Sequence, residues 1–119
     1  MQHEAGRELD ALVAEKVMGI EIPQWLEVPE GLTTLTSREI VPPYSTDIAA
    51  AWLVVDYLRA LPNGGVWLEE LSGRYSEGYR CGFSWTKNAS STDFRQAIGD
   101  TAPLAICLAA LEAMEARHA

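Results

Sequence analysis

The chain has 119 residues, 48% of them hydrophobic, and a formal net charge of −8. This length predicts one domain, residues 1–119, whose hydrophobic core is large enough to be stable without disulfides or a structural metal ion. The negative net charge disfavours binding to nucleic acid, because the phosphate backbone repels an acidic protein and no stripe of Lys and Arg offsets the charge. No apolar run approaches the roughly 20 residues of a spanning helix, and the N-terminus does not resemble a signal peptide. We therefore expect no membrane partner and a cytoplasmic location.

Two cysteines, Cys81 and Cys107, fall on a predicted strand and a predicted helix that pack together, so they could pair. Without an export signal, two buried free thiols are favoured over a disulfide. The histidines, His3 and His118, lie near the chain ends, and no Cys-x-x-Cys or His-x-x-x-His spacing occurs. We expect no metal site and no cofactor.

Apolar residues at helical spacing predict a first amphipathic helix at residues 5–18, ended by Gly19. A short strand at 20–22 and a long connection at 23–43 follow it. The connection is rich in proline and threonine but also contains Trp25 and several aliphatic residues, which are expected to pack against another surface. A connection this long in a small domain is more often functional or partner-bound than idle.

A second helix is predicted between Ser45 and Leu61. Pro42 and Pro43 keep its entry extended, Ser45 or Thr46 caps it, and Asp47 lies in the first turn, where the helix dipole favours a negative charge. Its predicted buried face consists of Ile48, Ala51, Trp52, Val55 and Leu58.

Two strands at 66–71 and 78–86 are predicted to form an antiparallel hairpin. A polar loop at 87–92 then leads to one or two helical turns at 93–98, in which Phe94 and Ile98 form a buried pair. The last helix starts after Asp100 or Thr101, with Pro103 in its first turn. Its inward face is predicted to hold Leu104, Cys107, Leu108, Leu111 and Met114, with alanines allowing close packing.

Three blocks of this sequence resemble the phage ABA sandwich domain proteins of bacteriophages and prophages. The blocks are GRELDALVAEKVMG at 6–19, PYSTDIAAAW at 43–52 and DTAPLAICLAAL at 100–111, about a third of the chain. The resemblance implies an α+β fold in which a small antiparallel sheet is sandwiched by helices (α-β-α). It also implies a phage protein in the host cell, and no catalytic residues.

One side of the second predicted strand departs from what such a sandwich needs. A sheet with helices on both sides needs strands that are apolar on both sides, whereas Arg80, Gly82, Ser84 and Thr86 make one side polar. Either a helix packs closely over Gly82 and Ser84, or that side is open to a ligand or a second subunit.

Polar residues at the two later helix starts are candidates for anion binding, because unpaired N–H groups and the dipole favour phosphate there. Tyr44, Ser45 and Thr46 form the first candidate and Thr101 the second. Ordinary capping explains the same residues, and the sequence leaves open whether the two starts share a pocket.

Arginine and tryptophan give further candidates. Arg80, with Arg74 nearby in the predicted hairpin turn, suits phosphate or carboxylate unless it is solvated or ion-paired. Trp67 shares a strand face with Glu69 and is free to stack on a base or to join an interface, while Trp52 and Trp85 are assigned to the core. The candidate ligand-binding residues are Tyr44, Ser45, Thr46, Trp67, Arg74, Arg80 and Thr101.

Signals of catalysis are weak. Glu69 and Glu70 are adjacent on a strand and are expected on opposite faces, the wrong geometry for an acid/base pair. No serine or cysteine has an internal histidine to activate it. We therefore expect no enzyme.

Two functions remain. The first is a ligand-binding accessory protein, a homo-oligomer that sequesters a nucleotide signal of bacterial immunity. The second is a protein-interaction module acting on a host or phage factor through the apolar residues of the 23–43 connection.

Overall fold

The computed structural model describes residues 4–20, 41–74 and 78–117. In chain order the elements are α1 (Arg7–Lys16), α2 (Ile48–Arg59), β1 (Val66–Arg74), β2 (Gly78–Asn88), β3 (Ser91–Gly99) and α3 (Ala102–Arg117). The fold is α+β with a small antiparallel sheet, as the sequence predicts. Three features of the sequence analysis lie outside the described residues. They are the two histidines, residues 21–22 of the predicted strand, and residues 23–40 of the long connection, which include Trp25.

The second helix starts two residues later than its first predicted cap. Asp47, and not Ser45 or Thr46, is the N-cap of α2, and its Oδ1 accepts the N–H of Ala49 at 2.9 Å. The prediction of Asp47 inside the first turn is therefore wrong. A carboxylate at the cap itself both satisfies an unpaired N–H and complements the helix dipole.

The buried face of α2 also differs from the prediction. Buried positions are Ala50, Ala51, Val54, Val55 and Leu58. Ile48 and Trp52 were expected in the core but are 43% and 40% exposed, and Leu53 is 49% exposed. The helix begins with eight apolar residues in a row, so its periodicity does not determine which side faces the core.

The sheet has three strands in the order β1-β2-β3, with both neighbouring pairs antiparallel. The predicted helical turns at 93–98 are wrong, because these residues belong to β3. The predicted polar loop is a tight turn at Ala89 and Ser90, in which Asn88 Oδ1 accepts the N–H of Ser90 at 3.0 Å. Such a side chain to backbone bond is a common way to close a turn.

The two sides of the sheet have different surroundings. Cys81, Phe83 and Trp85 project from the inner face into the core with α2 and α3. Residues of the opposite side alternate with them and are paired across the strands. We call this side the outer face; it carries Trp67, Ser72, Arg80, Gly82, Ser84, Phe94, Gln96 and Ile98.

Helix α3 lies at the centre of the molecule and contacts all three strands and both other helices. Every residue from Pro103 to Ala110 is buried, including alanines outside the predicted inward face, while Leu111 is only partly buried. An apolar surface all round a helix is typical of a fully buried one. Thr101 Oγ1 accepts the N–H of Leu104 at 3.3 Å, which confirms the predicted cap.

Candidate functional site

Arg80 lies in the middle strand and projects from the outer face, where it is directly opposite Ser72 on β1 and Ile98 on β3. Its Nε atom is buried and has no hydrogen-bond partner within the part of the chain that the structure describes. A buried guanidinium N–H without an acceptor is costly. It is therefore the polar atom on this face that most needs a partner.

A β-bulge in β1 brings two carboxylates to the same side of the sheet. The register shifts between Leu68, opposite Phe83, and Glu70, opposite Gly82, so Glu69 is an extra residue. Trp67 Nε1 donates to Glu69 Oε1 at 2.8 Å, and Ser72 Oγ donates to Glu70 Oε2 at 3.3 Å.

Because Trp67 and Ser72 both belong to the outer face, both glutamates lie there as well. The prediction that Glu69 and Glu70 project from opposite faces is therefore wrong. The extra residue of the bulge breaks the simple alternation on which that prediction rests.

An aromatic ring covers part of the outer face. An ideal Cβ at Gly82 would lie 2.5 Å from Cζ of Phe94, so the Phe94 ring occupies the space above this glycine. Phe94 is 40% exposed and Ile98 39%, so the predicted buried helical pair is wrong. The first predicted alternative, a helix over Gly82, is wrong, because the atoms nearest to this glycine belong to Phe94 and Gln96 of β3. The exposed ring of Phe94 agrees with the second alternative, an open side.

The residues before α2 are used for packing. Tyr44 and Ser45 are buried, whereas Thr46 is exposed. Ser45 donates through its N–H (2.8 Å) and its Oγ (2.6 Å) to Asp10 Oδ1, and its Oγ accepts the N–H of Gly6, the N-cap of α1, at 2.9 Å. The block that opens α2 thus joins the first turn of α1.

Burial also governs the titrating groups around this junction. It raises the pKa of Tyr44, with smaller contributions from Cys107 and Asp10. Desolvation raises the pKa of the Cys81 thiol to about 12 and that of Cys107 well above its usual range. Both cysteines are free and buried, as predicted, and they remain protonated at neutral pH.

Thr101 lines an open cleft at the start of α3. The other lining residues are Glu4, Ala5, Ile98, Gly99, Asp100 and Leu104. The cleft borders Glu4 and Ala5, which precede α1. Ser45 is buried against Gly6 and does not line the cleft, so the two helix starts do not share this pocket. Two carboxylates at the rim make this cleft a poor site for phosphate.

The structure brings together only part of the predicted site. Trp67 and Arg80 share the outer face, and the backbone of Arg74 ends the same strand as Trp67. Tyr44, Ser45 and Thr46 lie at the α1–α2 junction, and Thr101 lies in the cleft. Within the three described ranges, no three His, Cys, Asp or Glu side chains are grouped closely enough to hold a metal ion.

The sequence prediction missed Glu70 and Phe94 as members of this face. The signal for β3 is the alternation of Phe94, Gln96 and Ile98 after a turn containing asparagine and serine. Glu70 leaves no comparable signal, since no glycine or proline marks the bulge.

Comparison with known proteins agrees with the architecture. The model of the family described as Phage ABA sandwich domain matches residues 11–111. This chain belongs to the phage ABA sandwich domain family. No curated protein matches it.

One protein of known crystal structure has a similar fold. It is a phage protein from Bacillus cereus ATCC 14579, with a crystal structure at 2.0 Å and 24% sequence identity. The match covers 97% of this chain and 94% of that one, with a TM-score of 0.58. None of the helices in the described ranges is long and apolar enough to cross a membrane.

Proposed function

We propose that this phage ABA sandwich protein is a non-enzymatic accessory protein that binds a small nucleotide-like ligand on the outer face of its sheet. The observation that carries the proposal is the buried, unpartnered Nε of Arg80 on the same face as the exposed ring of Phe94. A change of the Arg80 rotamer brings its guanidinium to a ligand acceptor and gives Nε the partner that it lacks, while a planar ring of the ligand stacks on Phe94 or Trp67.

The chemistry of the outer face supports a nucleotide over an apolar metabolite. A nucleotide combines a planar base with hydrogen-bonding edges, and the outer face combines two aromatic rings with Arg80 and Glu70. Of the residues predicted from sequence, this site retains Trp67 and Arg80.

A sequestering role fits both the family and the residue types. A protein that removes a nucleotide signal of bacterial immunity needs a binding surface and no catalytic group. The sequence supplies no internal histidine for nucleophilic catalysis. We therefore propose that the ligand is such a signal and that binding alone performs the function in the host cell.

Calorimetry against mononucleotides and against cyclic and ADP-ribose-type nucleotides tests this proposal. We expect at least one of them to bind at micromolar concentration. Arg80→Gln weakens binding at least about tenfold, because it removes a charge-assisted hydrogen bond. Arg59→Gln serves as the matched control, since Arg59 is exposed on α2, and it leaves binding unchanged.

Two calorimetric results would contradict the proposal. One is the absence of binding by every nucleotide in the panel at micromolar concentration. The other is an equal loss of affinity in Arg80→Gln and Arg59→Gln, which would make the effect one of overall charge and not of the outer face.

A second candidate, a protein-interaction module, has its own supporting observation on α2. Ile48, Trp52 and Leu53 expose large apolar side chains on one helix, and an exposed apolar patch of this kind marks a protein–protein interaction site. The partner is a host or phage protein, or a second copy of this chain.

The prediction for the second candidate is a partner that depends on Trp52. We expect a protein from infected cells to copurify with the wild type and with Tyr79→Ser, whose parent side chain is also 40% exposed, but not with Trp52→Ser. Light scattering identifies the case in which the partner is a second copy. Equal retention by both variants, or a monomer with no partner, argues against this candidate.

A further inference from the structure

The charges of the outer face disfavour a ligand held mainly by its phosphates. Glu69 and Glu70 both lie on this face because of the bulge. Among the described side chains of the outer face, Arg80 carries the one positive charge. The whole chain carries a formal charge of −8. A phosphate group beside two carboxylates loses more through repulsion than one arginine restores.

Arg80 and Glu70 are diagonal neighbours across β1 and β2. Arg80 is opposite Ser72, and Glu70 is opposite Gly82, two residues along β2. Diagonal positions are separated by about 7 Å, within reach of long side chains. No ion pair joins Arg80 to Glu70 among the described residues. The face therefore presents a hydrogen-bond donor beside an acceptor, and Ser72 uses only part of the accepting capacity of Glu70, through Oε2.

The edge of a guanine base has the matching order of groups. Its O6 accepts a hydrogen bond, and the neighbouring N1–H and N2–H groups both donate. A carboxylate accepts two such donors in parallel. Adenine and cytosine place a donor where guanine places O6. Uracil offers a single donor between two acceptors, one of which faces the carboxylate.

We infer that the outer face recognises the guanine base of its ligand, with Arg80 bound to O6 and Glu70 bound to N1–H and N2–H. This inference rests on the proposed function, since it names the part of the nucleotide that the same face reads. Phe94, whose ring lies over Gly82, the residue directly opposite Glu70 and two residues from Arg80, provides the apolar surface against which the base packs.

Affinity for a series of mononucleotides tests the inference, because every member carries the same phosphate. We expect guanosine monophosphate to bind at least about tenfold more tightly than the inosine, adenosine, cytidine and uridine monophosphates. Ribose 5-phosphate, which has no base, does not bind. Glu70→Gln removes the preference, because an amide cannot accept two donors in parallel.

Glu69→Gln is the matched control, since it removes one negative charge from the same face and retains an acceptor for Trp67. It keeps the guanine preference. If the five mononucleotides bind equally and only Arg80→Gln weakens them, the inference is overturned and the proposed function stands. If no nucleotide binds to the folded wild-type protein, both are overturned.

Discussion

Asp10→Ala is expected to lower the free energy of unfolding by about 3 kcal/mol, a large share of the stability of a small domain. Asp10 Oδ1 accepts both the N–H and the Oγ–H of Ser45, and both side chains are buried. Alanine leaves the buried N–H of Ser45 without an acceptor and removes the 2.6 Å bond of its Oγ, which keeps only a longer contact of 3.3 Å to the carbonyl oxygen of Gly6. Urea unfolding followed by circular dichroism measures the change.

Glu8→Ala is the control for this variant. Glu8 is an exposed acid in the first turn of the same helix, so it shares the dipole interaction but not the buried bonds. We expect it to cost about 0.5 kcal/mol. Ser45→Ala combined with Asp10→Ala gives less than the sum of the two single effects, because they remove the same bonds. Equal costs for Asp10→Ala and Glu8→Ala would show that the junction contributes nothing.

Gly65→Ala is expected to cost at least about 3 kcal/mol, since it combines backbone strain with a steric clash. Gly65 follows α2 with φ of 72°, and its Cβ would lie 2.4 Å from the carbonyl oxygen of Arg59. Backbone at that position moves only if the end of α2 or the start of β1 shifts. Thermal unfolding measures the loss.

The neighbouring glycine separates strain from clash. Gly64 has φ of 90°, and its Cβ would meet nothing within 4 Å. Gly64→Ala therefore carries the strain alone, about 1–2 kcal/mol. A loss in Gly65→Ala no greater than that in Gly64→Ala would show that the helix end yields without cost, contrary to the packing described for this turn.

The helices were predictable in existence and approximate extent, because their signals are local. Capping at Thr101, the proline at position 103 and the apolar spacing of α1 are all read from neighbouring residues. The buried side of α2 was not predictable. Alanine, valine and leucine occupy most of its circumference, so tertiary packing decided that Trp52 faces outward.

The third strand and the bulge show where local reasoning failed. Phe94 and Ile98 are four residues apart, a spacing that a helix and a strand both place on one side. The strand is stabilised by its pairing with β2, a contact that no local pattern encodes. The bulge at Glu69 depends likewise on the register between two strands, so the sequence misplaced one of its two carboxylates.

The candidate site was predicted in part for the same reason. Arg80 and Trp67 were recognised from their chemical character, and the sheet places them on one face. Ser45 was recognised as polar and near a helix start, but its actual partner, Asp10, lies 35 residues earlier in the chain. A contact of that separation is fixed by the packing of two helices.

The most direct test of the ligand-binding face is a titration of isotope-labelled protein with each mononucleotide, followed by the amide chemical shifts. We predict saturable changes centred on Glu70, Arg80 and Phe94, largest with guanosine monophosphate, while the amides of α2 stay unchanged. Changes centred on Asp100 and Thr101 in the cleft, or on Trp52, would contradict the assignment of the outer face, as would spectra that no nucleotide perturbs.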